Sequence, residues 1–393
     1  RMLGRRMVRT LMRLAKMDKP TIHFAIPGSI QRRTGGYNYD RHVISGLRER
    51  GRIVRLYELD DPFSVAGMDL SSIAQRRKAE RTAGKMISSL PEGAVLIIDG
   101  LALPAFEPPL RHGAARLCVV ALIHHLLADE SGLEAAEKHA LQEVELRSLG
   151  VMRHVVVTSR ATAATVLRLG VSRTKISVVE PGTNQPKDLL GTRQGTKAAK
   201  HERGANGTIE LISVGALIPR KGHLTLLQAL AAHRSMAWRL TCFGSLDADR
   251  QEVAKIRALI EREDLTDRVN LAGEVDDKDL HIAYRDADIF VLASKLEGYG
   301  MAFAEALAYG LPVVGSGAGA VATTVPTDAG LLVVPGDPVA LAAALERVMT
   351  DASFRGTLAA GAAKAGRQLP SWRHTATQFD ATINSVSRAS SIV

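Results

Sequence analysis

Short apolar runs alternate along the chain with amphipathic stretches, and this alternation predicts an architecture. Runs of about four to eight residues that are rich in valine and isoleucine, with glycine, proline or acids at their ends, are typical of buried parallel strands. The predicted strands cover 21–28, 54–59, 94–100, 117–123, 155–159 and 176–183 in the first half, and 209–214, 240–245, 269–275, 288–293, 313–314 and 330–337 in the second. Each half therefore predicts an open parallel sheet.

Segments with a helical period of apolar residues lie between these strands. They predict helices at 41–50, 72–90, 161–169, 248–263, 279–286 and 339–349, and a final helix that opens at 370–372. The order of strands and helices predicts an α/β protein built from two Rossmann-like β/α/β domains.

A stretch of glycine and mixed charge from 184 to 207 interrupts the pattern and is typical of a linker. With 393 residues, of which 46% are hydrophobic, the chain is long enough to bury two separate cores. The predicted units are a basic N-terminal tail at 1–19, a first domain at 20–184, a linker at 185–207, a second domain at 208–370 and a C-terminal helix at 371–393.

The chain carries a net charge of +10, which favours anionic partners such as nucleotide diphosphates, an anionic membrane or nucleic acid. We expect no nucleic acid, because aromatic residues make up only 4% of the chain and no RNA-binding or zinc-finger motif is present. Residues 1–14 are basic and amphipathic, which is compatible with peripheral contact with the inner face of an anionic membrane. An unstructured tail or a misplaced start is the alternative.

The cysteines and the lengths of the apolar runs indicate the cellular compartment in which the protein is found. Cys118 and Cys242 both lie in predicted strands, which favours buried thiols in a reducing compartment over a disulfide or a metal site. The longest apolar run, 117–128, is interrupted by His124 and His125 and is shorter than the roughly 18 residues of a spanning helix. We therefore expect a cytoplasmic protein.

The stretch from 288 to 314 predicts a strand, a glycine loop, a helix and a second strand. Gly298 and Gly300 open the helix and leave free backbone N–H groups at its positive end, where a phosphate fits. Glu297 stands before the loop and Glu305 about two helical turns into the helix. One carboxylate is suited to a sugar hydroxyl and the other to a ribose hydroxyl. The alternative is a loop charge and a solvated helix residue.

The run EGYGMAFAEA at 297–306, followed by GLPVV at 310–314, resembles the Glu-x7-Glu signature of the retaining GT-B glycosyltransferases of family 4, the glycosyl transferases group 1. The resemblance implies two Rossmann-like domains with a cleft between them. The first would bind the acceptor, the second the nucleotide-sugar, and a C-terminal helix would cross back to the first domain. It also implies a reaction without cofactor or metal, because cationic side chains and the helix dipole neutralise the leaving group.

A basic pair, Arg220 and Lys221, stands before Gly222 at the start of a predicted helix. Two adjacent cations in this place are suited to a diphosphate, and a solvated basic turn is the alternative. The segment resembles the Val-Gly-Arg-Leu and Lys-Gly segment of the family, with one departure: Ala216 stands where many relatives carry arginine. A second departure is Thr323, where relatives usually carry an acid.

The resemblance implies roles for the residues of the second domain. Cationic side chains and backbone amides would stabilise the charge that grows on the departing diphosphate. These residues are Arg220, Lys221, Gly298, Tyr299, Gly300 and Met301. Glu297 would position the donor sugar, and Glu305 would bind the ribose.

Two histidines, His124 and His125, follow the strand 117–123 at its carboxyl end, where open α/β sheets bind ligands. Relatives carry a histidine at this place, close to the transferred sugar, and His124 matches it best. His125 falls where many relatives carry aspartate, so the two roles could be exchanged. A metal pair is the third interpretation, but no further ligand stands at a usable spacing.

Gly35 and Gly36 precede the predicted helix 41–50. In the resembling family a glycine-rich loop at this place faces the cleft, near the acceptor and the donor phosphate. A tight turn with positive φ at both glycines is the alternative. Asp99 ends a predicted strand and either contacts an acceptor or caps its own loop.

The resemblance implies transfer of a sugar from a nucleotide-diphosphate donor to a hydroxyl acceptor of unknown identity, with retention of anomeric configuration. One alternative is a nucleotide-sugar 2-epimerase on the same fold, which would need further acids on the first-domain side of the cleft; the sequence identifies none. Another is a non-catalytic nucleotide-sugar-binding protein. The intact Glu-x7-Glu pair counts against it, whereas Ala216 and Thr323 count slightly for it.

Overall fold

The computed structural model describes residues 20–59, 73–130, 132–186 and 207–389 of the chain. The predicted tail at 1–19 and almost all of the predicted linker at 185–207 lie outside these residues. The membrane contact expected of the tail, and the domain boundaries, therefore stay predictions.

Each half of the chain forms a six-stranded sheet in which neighbouring strands are parallel. The first sheet contains β1 (Ile22–Pro27), β2 (Val54–Leu59), β3 (Val95–Asp99), β4 (Cys118–Ile123), β5 (His154–Val157) and β6 (Ile176–Val178). The second contains β7 (Ile209–Val214), β8 (Trp238–Phe243), β9 (Val269–Gly273), β10 (Ile289–Leu292), β11 (Val313–Ser316) and β12 (Gly330–Val333).

The strand order is β2-β1-β3-β4-β5-β6 in the first sheet and β12-β11-β10-β7-β8-β9 in the second. In each sheet the direction of winding reverses beside the first strand of the domain. Open α/β sheets bind ligands outside the carboxyl ends of the strands at such a reversal. The site is therefore expected where the carboxyl ends of the two sheets face each other.

Helices connect the strands of both sheets. Those of the first half are α1 (Gly35–Glu49), α2 (Ile73–Ser89), α3 (Leu103–Gly113), α4 (Ala135–Gly150) and α5 (Arg160–Arg168). Those of the second half are α6 (His223–Ala231), α7 (Arg250–Arg262), α8 (Asp277–Asp286), α9 (Met301–Ala308), α10 (Val321–Thr324), α11 (Pro338–Thr350), α12 (Ala352–Gly366) and α13 (Trp372–Ala389). The predicted α/β fold of two Rossmann-like domains is confirmed. Within the described ranges, no helix is both long enough and apolar enough to cross a membrane.

Helix α1 begins at Gly35, so the prediction of a loop before a helix at 41–50 is wrong. Gly35 and Gly36 form its first turn, and neither has a positive φ, so the alternative of a positive-φ turn is wrong as well. The reason is tertiary: Tyr37 and Tyr39, directly after the glycines, are buried, and the Tyr39 hydroxyl donates to the backbone oxygen of Val179 at 2.9 Å. This packing outweighs the low helix propensity of glycine.

Four helices, α3, α4, α12 and the short α10, have no counterpart in the sequence prediction. Helix α3 contains Pro108 and Pro109, which normally disfavour a helix interior. The apolar residues of α4 do not form a single stripe, and α12 is rich in alanine and glycine. Hydrophobic periodicity is the main signal for a helix, and α4 and α12 carry little of it, whereas in α3 the prolines argued against a helix.

Buried strands supply most of both cores. All six residues of β4 are buried, and helices cover both faces of the first sheet, as a doubly wound fold requires. Cys118 and Cys242 are both buried, which confirms the prediction of buried thiols.

Helix α13 returns from the second domain and packs on α1 of the first domain. The Arg52 side chain is fully buried, and its Nε donates to Asp380 Oδ1 on α13 at 2.7 Å. The ring of Trp372 stacks on His42 with 4.1 Å between ring centroids. The C-terminal helix expected to cross back to the first domain is thus present.

Candidate functional site

The loop after β10 pairs Glu297 with Lys221. Glu297 is only 7% exposed, and its Oε1 accepts hydrogen bonds from Lys221 Nζ at 2.7 Å and from Ser294 Oγ at 2.6 Å. Burial raises the pKa of Glu297, but Lys221, Arg220 and Ser294 outweigh burial and hold that pKa below its usual range. Glu297 is therefore a carboxylate at neutral pH.

Gly298 and Gly300 shape the turn into α9. A Cβ on Gly298 would lie 2.0 Å from the backbone oxygen of His124 in the first domain, so no side chain fits there. Gly300 has a φ of 87° and directly precedes Met301, the first residue of α9. The first-turn N–H groups of α9 have no partner within the helix and form the positive end of its dipole.

Glu305 lies closer to the start of the helix than predicted. Helix α9 begins at Met301, so Glu305 is little more than one turn into it, not two. Glu305 Oε2 accepts a hydrogen bond from the hydroxyl of Tyr284 at 3.0 Å. Burial raises the pKa of Glu305 to about 7, although the Tyr284 hydrogen bond opposes the rise. A small change of surroundings can therefore change its charge near neutral pH.

Arg220 forms an ion pair across the cleft. The turn Pro219–Lys221 carries both predicted cations. Arg220 Nε donates to Glu130 Oε1 of the first domain at 2.7 Å, and Arg220 Nη1 donates to the backbone oxygen of Leu296 at 3.1 Å. His125 Nε2 lies 2.9 Å from the other Glu130 oxygen. His125, Glu130 and Arg220 thus form a polar chain that joins the two domains.

Glu130 is a site residue that the sequence prediction missed. Burial raises the pKa of Glu130, but His125 and Arg220 outweigh burial and lower that pKa to about 2. The sequence clue to Glu130 was its position a few residues after His125, in the connection that leaves the carboxyl end of β4. A partner in the other domain is not visible from that position.

His124 contacts two buried acids. Its Nε2 lies 3.2 Å from Asp40 Oδ1 on α1 and 3.3 Å from Asp99 Oδ2 at the end of β3. The other oxygen of Asp99 accepts from the backbone N–H of Leu101 at 2.7 Å, which fulfils the predicted capping role. Asp40 and Asp99 are acids of the kind that the epimerase alternative needs, and the sequence identified neither as such. Both are engaged with His124.

The same three side chains have the composition of a cation site. Their potential ligand atoms all lie within 4.8 Å of one another. Burial lowers the pKa of His124, but Asp40 and Asp99 outweigh burial and raise it to about 10. At neutral pH a metal ion would therefore have to displace a proton from His124 Nε2. The arrangement favours an ion-paired imidazolium over a metal centre.

The start of α1 lies against both His124 and α9. A Cβ on Gly36 would lie 3.1 Å from His124 Cδ2, and a Cβ on Gly35 would lie 3.5 Å from Met301 Sδ. The two glycines therefore allow the histidine of the first domain and the helix start of the second to approach each other. Four residues proposed from separate motifs meet at this point.

Tyr299 and Thr323, one of the two departures from the family pattern, lie close to the same loop. Tyr299 is 8% exposed, and its backbone oxygen accepts from Thr324 Oγ1 at 2.8 Å. The hydroxyl of Thr323 donates to the backbone oxygen of Ala320 at 2.8 Å, so Thr323 serves its own turn. Ala216 offers only a methyl group where the family resemblance implies an arginine.

An open pocket of about 460 Å³ lies between the two domains beside the glycine loop. Its lining includes Lys138 and Arg168 from the first domain, Lys295 from the second, and one acid, Asp129. A smaller pocket shares part of this lining and extends to His125, Glu297 and Gly298. The larger pocket is thus continuous with the site and has an excess of positive charge.

The parallel sheets of the two domains and the cleft between them define a GT-B architecture. Residues 196–367 match the family described as "Glycosyl transferases group 1". This match supports the resemblance to the glycosyl transferases group 1 that was inferred from the Glu-x7-Glu stretch, and it covers the second half of the chain.

Curated relatives support the same family. A D-inositol 3-phosphate glycosyltransferase of Salinispora tropica is 30% identical over 277 residues, which is 65% of this chain and 57% of the relative. A mannosylfructose-phosphate synthase of Agrobacterium fabrum is 32% identical over 151 residues, 37% of this chain and 33% of the relative. The chain thus spans only part of the length of the curated relatives that it matches.

Solved structures support the fold over nearly the whole chain. A sucrose-phosphate synthase from Thermosynechococcus elongatus superposes with a TM-score of 0.77 at 22% identity, covering 94% of this chain and 100% of that one. Anabaena HepE, solved in complex with UDP-glucose, superposes with a TM-score of 0.69 at 18% identity, covering 93% of this chain and 100% of that one. At these identities the likeness shows the fold alone.

Proposed function

We propose that this protein is a retaining glycosyltransferase that moves a sugar from a nucleotide-diphosphate donor to a hydroxyl acceptor. The observation that carries the proposal is the Glu297–Lys221 pair beside the free first-turn amides of α9, with His124 facing it from the first domain. A carboxylate suits the sugar hydroxyls, and a cation with free amides suits the diphosphate. UDP-glucose is the first donor to test, because Anabaena HepE was solved with it.

In the proposed reaction, the bond from the anomeric carbon to the phosphate oxygen breaks. A bond from the acceptor oxygen forms on the same face of the sugar, and the acceptor proton passes to the departing phosphate. Lys221, Arg220 and the α9 amides stabilise the negative charge that develops on the leaving group. Glu297 is engaged by Lys221 and Ser294, which supports a positioning role over that of a nucleophile and therefore a front-face reaction.

Donor binding must rearrange the ion pairs of the site. Arg220 is held by Glu130 and Lys221 by Glu297. A diphosphate would share these cations with the two carboxylates or replace the carboxylates as their partner. Glu305 would accept hydrogen bonds from the ribose, with Tyr284 holding its other side.

The acceptor is proposed to carry an anionic group that binds in the 460 Å³ pocket. Lys138, Arg168 and Lys295 surround that pocket against a single acid, Asp129. Two of the relatives, a D-inositol 3-phosphate glycosyltransferase and a mannosylfructose-phosphate synthase, are both named for a phosphorylated compound. Paired acceptors with and without phosphate test this: the phosphorylated partner should react faster, and the advantage should shrink in Lys138→Ala. Equal rates would contradict it.

Peripheral contact between the basic N-terminal segment and an anionic membrane stays a prediction, since that segment lies outside the described residues. Salt-sensitive association with vesicles that contain anionic lipid, lost when residues 1–16 are deleted, would support it. No association at low salt would exclude it.

The reaction itself is tested with a panel of nucleoside-diphosphate sugars. Thermal shift reports binding, and NMR of the anomeric proton reports slow donor hydrolysis and its stereochemistry. We expect one donor to raise the melting temperature and to be hydrolysed with retention. A donor that binds but stays intact even with the acceptor panel favours the non-catalytic alternative, and release of a 2-epimer favours the epimerase.

A matched pair of variants assigns the activity to the site. Glu297→Gln removes the carboxylate that pairs with Lys221 and should lower donor turnover by at least about 100-fold. Glu346→Gln makes the same chemical change on the exposed face of α11 and should leave turnover unchanged. Equal turnover in the two variants would remove Glu297 from the mechanism.

A further inference from the structure

His124 is the least buried member of a group whose other members are almost fully buried. Its side chain is 15% exposed, whereas those of Asp40 and Asp99 are 1% and 3% exposed. Both carboxylates approach the same nitrogen, Nε2, at 3.2 and 3.3 Å. Of the three side chains, the imidazole is therefore the most accessible to a bound molecule.

Two buried acids that approach one imidazole nitrogen favour the charged form of that imidazole. Burying a carboxylate costs several kcal/mol unless a cation or hydrogen-bond donors compensate it. Asp40 is fully buried, and its Oδ2 has no hydrogen-bond partner in the part of the chain that the structure describes. A neutral ring would remove the positive charge that both carboxylates contact through Nε2.

The position of the ring connects this group to the cleft. The ring lies over Gly36 at the start of α1, and the His124 backbone oxygen lies against Gly298 of the second domain. The hydroxyls of Thr158 and Thr162 donate to that same backbone oxygen at 3.3 and 3.4 Å. The backbone of His124 is thus fixed from several sides at the meeting point of the two domains.

We propose that Asp40 and Asp99 are positioning residues that keep His124 as an imidazolium at the cleft. His124 then contributes positive charge and N–H donation to the bound donor, and it does not act as a general base. Its part in the reaction rests on the proposed glycosyltransferase function. The charge of the ring does not, and it can be measured without any substrate.

The neighbours of the ring explain the direction of the effect. The titratable groups that face it are Asp40 from α1, Asp99 from the end of β3 and, edge-on, the ring of Tyr39 at 5.3 Å between centroids. Burial raises the pKa of Asp40 to about 6, and that of His124 is raised to about 10. Between these values Asp40 is a carboxylate and His124 an imidazolium.

The direct test is NMR of the full chain labelled with carbon-13 in its histidine rings. The chain has 12 histidines, and His124→Asn identifies the His124 resonance by its loss. We expect this resonance to keep imidazolium shifts through pH 8. In Asp40→Asn its titration midpoint should fall by about one to three pH units, because one opposite charge has been removed. A wild-type midpoint near 6.5 would overturn the proposal.

Controls separate this effect from loss of folding. Glu143→Gln makes the matched change beside His139, in a pair whose side chains are 75% and 55% exposed, and should leave the His124 resonance unchanged. Asp99→Asn keeps an oxygen for the Leu101 N–H and should lower the His124 midpoint in the same direction. It therefore serves as the test if Asp40→Asn does not fold. An unchanged midpoint in a folded Asp99→Asn or Asp40→Asn protein would contradict the proposal.

Activity provides the second measurement. In Asp40→Asn, the rate of donor hydrolysis should fall with rising pH about one to three units earlier than in the wild type, because the ring loses its proton earlier. A merely structural role would lower the rate equally at every pH. If no donor is turned over by the wild type, the glycosyltransferase proposal fails while the NMR titration still decides the charge of His124.

Discussion

Arg220 of the second domain donates its Nε–H to Glu130 of the first at 2.7 Å, and the two side chains are only 13% and 9% exposed. The same carboxylate contacts His125, so one acid links a candidate cation for the diphosphate to the histidine pair. The ion pair therefore joins the two domains directly beside the candidate site.

Replacing Glu130 should destabilise the protein in a pH-dependent way. The pKa of Glu130 is about 2 in the fold, below its ordinary value of 4.5. The carboxylate therefore stabilises the fold above pH 4.5, and this contribution is lost as pH falls through about 2. We expect Glu130→Gln to lower the free energy of unfolding at pH 7 by up to about 3 kcal/mol.

Urea denaturation at pH 7 and at pH 3 checks this prediction. The difference in the free energy of unfolding between wild type and Glu130→Gln should be smaller at pH 3. The exposed control Glu346→Gln should differ little from wild type at either pH. A difference of the same size at both pH values for Glu130→Gln would show that the ionised carboxylate is not its source.

Gly298→Ala should impair both stability and donor turnover. The added methyl group would lie 2.0 Å from the backbone oxygen of His124, and backbone cannot move aside as a side chain does. We expect the two domains to separate locally and the melting temperature to fall. Gly356→Ala is the control, since nothing lies within 4 Å of an added Cβ there. That exposed helix position should gain about 0.5–1 kcal/mol. Similar changes of melting temperature in Gly298→Ala and Gly356→Ala would contradict the close approach of Gly298 to the backbone of His124.

Tyr284→Phe should weaken donor binding through Glu305. The variant removes the hydrogen bond that the Tyr284 hydroxyl donates at 3.0 Å and that opposes the raised pKa of Glu305. That pKa, already about 7, should rise further, so the carboxylate is lost at a higher pH. Donor KM should increase, most strongly below neutral pH, with little change in kcat.

A KM profile between pH 5.5 and 8.5 tests the Tyr284 prediction. Tyr57→Phe removes a hydroxyl that contacts His23 in the first sheet, and it should leave donor KM unchanged. If Tyr284→Phe changes kcat alone, or shifts KM equally at all pH values, Tyr284 does not act through the charge of Glu305.

Asp380→Ala should destabilise the packing of α13 on the first domain. Arg52, its partner at 2.7 Å, has a fully buried side chain, so the variant would leave a charge without compensation. Loss of one partner of a buried pair typically costs about 3–5 kcal/mol. Asp328→Ala removes an exposed partner of Lys364 at 3.8 Å and should cost less than about 1 kcal/mol. The melting temperatures of the two variants should differ clearly. Equal melting temperatures would mean that the packing of α13 contributes little to the stability of the protein.

Much of the architecture follows from local patterns in the sequence. The alternation of valine-rich runs with amphipathic segments predicts both sheets, because a doubly wound fold buries strands on both faces and helices on one. The turn into α9 was also predictable from the local sequence. Gly300 has a backbone conformation that favours glycine, and it directly precedes the helix.

Only the tertiary structure decided how the polar residues pair. Asp40 and His124 are 84 residues apart, and Glu130 and Arg220 are 90 residues apart and in different domains. Such pairs leave no periodicity or spacing in the sequence, because their geometry depends on how strands and domains are placed. The start of α1 was decided in the same way, since buried tyrosines outweighed the helix-breaking tendency of Gly35 and Gly36. Local chemistry thus determined which residues could act, and long-range packing determined which of them meet.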